Sequence, residues 1–96
     1  MKKSNLVMKD FNINGTCLRG YLPLGTTYKQ IVNVFGKPSK IQDCKVKAQW
    51  IGKINDKIFT IYDYKSNVAK EQNTDWHIGG KDNTVTEMVI EYFKSV

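Results

Sequence analysis

Two stretches of the chain carry apolar residues at helical spacing. Tyr28, Ile31, Val32 and Phe35 make one stripe, and Val85, Met88, Val89, Tyr92 and Phe93 make another that recurs every three or four residues. Each stripe follows a threonine with a Gln or Glu three residues on, Thr27 with Gln30 and Thr84 with Glu87. That is the pattern of a capping box, in which two side chains satisfy free N–H groups at a helix start. The spacing therefore predicts helices near 27–35 and 84–94. Gly36, able to take a left-handed cap, and Pro38, unable to continue a helix, end the first.

Elsewhere the period drops to two. Leu6 to Leu22 predicts a hairpin about Asn14-Gly15, with Ile13 opposite Thr16, Phe11 opposite Leu18 and Asp10 opposite Arg19; Pro23 closes its second strand. From Lys45 to Ile54 the alternation sets Val46, Ala48, Trp50, Gly52 and Ile54 on one side and Lys45, Lys47, Gln49, Ile51 and Lys53 on the other. Asn55-Asp56 is a turn, and Ile58 to Lys65, rich in β-branched and aromatic residues, is the returning strand. A two-residue loop places Phe59 and Ile61 with Trp50, leaving Thr60, Tyr62 and Tyr64 with Lys47, Gln49 and Ile51. A slip by one residue would mix the faces. The outer face is then one of lysines and tyrosines. Ser66 to Thr74 is polar and predicts a loop, and Asp75 to Ile78 a short strand.

These elements predict an α+β fold: a small antiparallel sheet of about five strands with both helices on one face, in a single domain over 1–96. An apolar share of 41% and charged share of 25% suit a globular chain. No apolar run approaches the length of a membrane span, and the basic start, Met1 to Asn5, is followed by too short an apolar stretch for a signal peptide. A cytoplasmic location with no membrane partner is expected. Cys17 and Cys44 are then reduced and behave as small buried or half-buried apolar residues. A net charge of +6 favours anionic partners and excludes acidic mimicry of DNA. The lysines are scattered in runs no longer than two, so no compact phosphate-backbone footprint emerges.

Candidate chemistry concentrates in Asp75 to Thr84, which holds the sole histidine, one of two tryptophans and the sole Gly-Gly pair. Read as a strand, a glycine turn and a helix start, it offers Trp76 and His77, the open backbone of Gly79 and Gly80, and the charge of Lys81 to an anion, with Tyr62 or Tyr64 stacking on a flat ring. The plainer alternative makes Trp76 core, the glycines a turn, and the tyrosines packing under the closing helix. His77 has no serine or cysteine placed as a nucleophile, so no catalytic residue is assigned and no enzymatic activity expected. One histidine and two distant cysteines match no metal spacing, and no cofactor is expected. Tyr62 and Tyr64 among Lys47, Lys53 and Lys65 also suit single-stranded nucleic acid.

Gly20-Tyr21, Phe35-Gly36-Lys37-Pro38, Lys45 with Trp50, the run Thr60-Ile61-Tyr62-Asp63-Tyr64-Lys65 and the run Trp76-His77-Ile78-Gly79-Gly80 together resemble a group of small, mostly uncharacterised bacteriophage proteins, over roughly residues 16 to 93. The helix-then-hairpin order, with Gly25-Thr26 before the helix, also looks like the small α+β unit of bacterial outer-membrane assembly lipoproteins. This chain lacks their lipidated cysteine, so only fold would carry over. The phage resemblance implies a counter-defence role in the host cytoplasm: sequestering a nucleotide-like anion, inhibiting a host protein through the lysine-tyrosine face or, third, binding nucleic acid. Sequestering proteins often assemble pockets between subunits, so a homo-oligomer fits the first of these.

Overall fold

A computed structural model describes residues 5–39 and 46–95 of the chain. Five strands, β1 (Leu6–Met8), β2 (Cys17–Tyr21), β3 (Gln49–Ile54), β4 (Lys57–Tyr62) and β5 (His77–Gly80), form one antiparallel sheet in the order β1-β3-β4-β5-β2. Helices α1 (Tyr28–Phe35) and α2 (Thr84–Ser95) cover one face, as the α+β pattern predicts. No helix among the described residues is long and apolar enough to cross a membrane.

The local signals at α1 and at the β3–β4 hairpin are realised. Thr27 Oγ1 accepts from the Gln30 N–H at 3.2 Å while Gln30 Oε1 accepts from the Thr27 N–H at 2.8 Å, closing the capping box. Gly36, at φ +88°, ends the helix with its N–H on Val32 O. Asn55 and Asp56 both take positive φ, 50° and 67°, the turn whose twist matches paired strands. Ile54 then faces Lys57 and Trp50 faces Ile61, the two-residue-loop register. Trp50, Ile54, Phe59, Ile61 and Ile78 are wholly buried under the helices. There Phe35 lies 5.7 Å from both the Phe59 and Tyr92 rings, joining α1, sheet and α2 in one aromatic core.

The N-terminal hairpin does not form. The turn itself is present, with Thr16 N–H and Oγ1 both donating to Ile13 O, but β1 and β2 stand at opposite edges of the sheet. Four strand intervals of about 4.8 Å separate them, roughly 19 Å, a distance residues 9–16 can span in extended form. β1 pairs with β3 and β2 with β5, so both extend a large sheet, where an isolated ribbon would be marginal. Arg19 accordingly meets Gly80 O, Lys81 O and Asn83 Oδ1 instead of Asp10. Residues 9–16 cross the helix-free face of the sheet.

Three further expectations change. The last strand is His77–Gly80, so Gly79 and Gly80 belong to the sheet and not to a turn. Thr84 is the first residue of α2, and its N–H and hydroxyl both donate to Asp82 Oδ1, which takes the place of the expected Thr84–Glu87 box. Val46 leaves the face of Trp50 and lines the opposite side. The chain bends at Lys47, where the buried Asp63 carboxylate accepts from both the Lys47 and Ala48 N–H groups and replaces ladder bonds. Lys45 and Cys44 lie outside the described residues.

Candidate functional site on the helix-free sheet face

Successive residues of a strand point to opposite faces, and this rule divides the glycine-rich stretch. Trp76, only 1% exposed, sits under the helices edge-to-face with Trp50 at 5.5 Å, its indole N–H donating to Asn73 O. Its ring is core, not a stacking surface. Gly80 faces α2: a Cβ there would stand 2.4 Å from Val85 Cγ1, so the missing side chain lets the helix approach the sheet. Lys81 lies at the strand's end in a small basic recess of about 280 Å³ with Lys53, Lys57 and Asp82. Hydrogen bonds from Lys57 and then Thr84 hold the Asp82 carboxyl well below the usual carboxylate range, so this recess already contains its counter-ion. The expected convergence of Trp76, Gly80 and Lys81 on one ligand does not occur.

His77 and Gly79 face the other way, where no helix lies. The Tyr21, Tyr62 and Tyr64 rings surround the His77 imidazole at 5.0, 5.3 and 6.3 Å between centroids. Tyr62 comes from β4, register-paired with His77, and Tyr21 from β2, paired with His77 on the other side. Burial first, then the neighbouring Tyr21, Tyr64 and Cys17, push the Tyr62 phenol up. Its hydroxyl therefore stays protonated and able to donate at neutral pH. The two tyrosines that were to stack or to pack under the closing helix pack under neither helix; they belong to the open face.

Beside this cluster lies a cleft of about 720 Å³, the larger of the two recesses described here. Ile51, Thr60, Gln49 and Gly79 form its floor from β3, β4 and β5; Tyr62 and Tyr64 bound it at one end; Phe11, Ile13 and Leu18 rise from the crossing segment and β2. The crossing segment thus makes a wall where a hairpin would have left the face bare. Lys53 places its ammonium over the Phe11 ring, 4.7 Å from the centroid, and Lys65 lies 5.4 Å from the Tyr64 ring. Lys47 donates to Ser66 O and Val68 O and is occupied in holding the loop. Cys17, expected to be buried or half-buried, is exposed at the cleft's edge.

Of the residues singled out in sequence, Gly79, Tyr62 and Tyr64 line the cleft and His77 braces its tyrosines; Trp76, Gly80 and Lys81 do not take part. Thr60 and Ile51 were legible from the hairpin register, but neither was singled out as a candidate binding residue, although Thr60 opens the run Thr60 to Lys65. Phe11, Ile13 and Leu18 were read as a hairpin's apolar side, and no local signal shows that they close a cleft. Among the described residues there is no cluster of three metal-ligating side chains. Comparison with protein-family models, with curated proteins and with solved structures finds no match to this chain.

Proposed function

We propose that this chain is a non-catalytic binding protein that sequesters a nucleotide-like ligand in the cleft of the open sheet face. The cleft itself carries the proposal. Its volume of about 720 Å³ lies within the range of small-molecule sites, and its lining mixes apolar side chains, two tyrosines and a few neutral polar groups. Tyr62 and Tyr64 supply rings for stacking. The resemblance to small bacteriophage proteins supports a counter-defence setting in the host cytoplasm, where removing a nucleotide signal requires binding and no chemistry.

Thermal unfolding against a ligand panel tests this. Mono- and dinucleotides, cyclic dinucleotides and ADP-ribose derivatives are added in large excess, and one class is expected to raise the melting temperature. A ligand at one hundred times its Kd stabilises by about 2.7 kcal/mol. A panel with no shift removes the proposal. The second reading, inhibition of a host protein through the same face, is favoured by the exposure of Leu18, Tyr21 and Tyr64 at 46%, 50% and 41%. One host protein recovered in stoichiometric amount at high salt, by a chain that binds no nucleotide, would establish it.

A further inference from the structure

Given the binding function proposed above, we infer that the cleft recognises the uncharged base of its ligand, through its floor at Gly79 and Thr60, and leaves the phosphates in solvent. That floor is shaped by a missing side chain. A Cβ at position 79 would stand 2.5 Å from Thr60 Oγ1, 3.3 Å from Cys17 O and 3.4 Å from Tyr62 Cε1. Any side chain there would displace the threonine hydroxyl and press on the tyrosine ring. Glycine lets Thr60 and Tyr62 close against the β5 backbone and so fixes where the hydroxyl stands on the cleft floor, on the side of the sheet where β4, β5 and β2 adjoin.

Thr60 is 2% exposed and borders the cleft. Among the described residues its hydroxyl has no hydrogen-bond partner. A hydroxyl both donates and accepts, and the Gln49 amide on the next strand does the same, so the floor offers neutral groups matched to the edge of a heterocycle. Tyr62 presents its ring edge to the same part of the floor. A flat ring entering beside Tyr62 would bring its polar edge to Thr60, and a base lacking the matching group would leave a nearly buried hydroxyl unsatisfied.

Charge separates base from phosphate recognition. Among the described residues the lining contains one carboxylate, Asp10, and no lysine or arginine. A phosphate held among these residues would lose water without gaining a cation, a cost that an uncharged base does not incur. Lys53 and Lys65 place their ammonium groups over the Phe11 and Tyr64 rings. The overall charge of +6 raises the rate of encounter with an anionic ligand.

Calorimetric titration of the full chain with the four nucleosides, their mono- and triphosphates, and ribose 5-phosphate tests the inference. One nucleoside is expected to bind within about threefold of its own nucleotides, with little change between low and high salt. Ribose 5-phosphate is expected not to bind. Thr60→Val, which keeps the side-chain shape, and Gly79→Ala are each expected to weaken binding by about tenfold or more. Thr60→Val guards against the glycine variant failing to fold. If nucleotides bind but nucleosides do not, or if affinity collapses with salt, the cleft reads phosphate: the inference fails while the binding function stands. If nothing in the set binds, the inference fails, while the binding function is decided by the wider panel of dinucleotides, cyclic dinucleotides and ADP-ribose derivatives.

Discussion

The two faces of strand β5 are made from alternate residues of one short stretch, yet they have become different materials. Trp76, Ile78 and Gly80 face the helices, where two residues are almost wholly buried and the third is a glycine under Val85. His77 and Gly79 face outward among three tyrosine rings and a cleft. Two adjacent glycines thus do unlike work: Gly80 admits a helix and Gly79 admits a threonine hydroxyl against the strand. A concentration of recognition-type residues in sequence does not amount to a site when strand geometry sends every second one into the core.

The contrast can be broken most sharply at Trp76. Trp76→Ala is expected to cost about 3–5 kcal/mol in urea unfolding, as for other large aromatic truncations in a core. A variant that stayed stable but lost ligand would return Trp76 to the site and erase the division between faces. On the other side, Tyr64→Ala is expected to lower stability by less than about 1 kcal/mol, because the residue is 41% exposed, while a ligand ring that stacks on it loses about 1–3 kcal/mol of binding. Equal losses of stability at both positions would show that the outer face is as structural as the inner.

The smallest expected effect lies where β5 hands over to α2. The Asp82 carboxyl is held below its ordinary range by hydrogen bonds from Lys57 and Thr84, so its folded pKa lies under its unfolded one. Its contribution to stability is present above the usual carboxylate value and is lost as pH falls towards the depressed one. Asp82→Asn should therefore lower stability slightly at neutral pH and flatten its decline with acid below about pH 4, where the two chains converge. Identical acid profiles for the two chains would mean that this exposed pair contributes nothing.

Much of the fold was legible because its signals are local. The Thr27–Gln30 box needs three residues of context, and the β3–β4 register needs a two-residue turn plus an apolar side that must not mix with a polar one. The same register placed Thr60, Tyr62 and Ile51 together on the outer face. The first hairpin shows the limit: Asn14-Gly15 does make its turn, but turn chemistry does not decide which strands pair. Leu6–Met8 found a partner in β3 and Cys17–Tyr21 in β5, both far along the chain. The site was less legible than the fold, since Trp76 and Lys81 suit a ligand by residue type while Trp76 lies in the core and Lys81 borders the smaller recess.

By itself the sequence determined the α+β fold, the first helix with its cap, the central hairpin in its register, and an outer face bearing Tyr62 and Tyr64. Each follows from periodicity and short-range hydrogen bonding, whose energies are set within a few residues. Only the tertiary structure decided that residues 9–16 cross the open face, that the glycine pair lies in a strand, and that Gly79 meets Thr60 while Gly80 meets Val85. Those outcomes depend on which distant strands complete the sheet. That choice is made by the burial of whole faces, a quantity no local window contains.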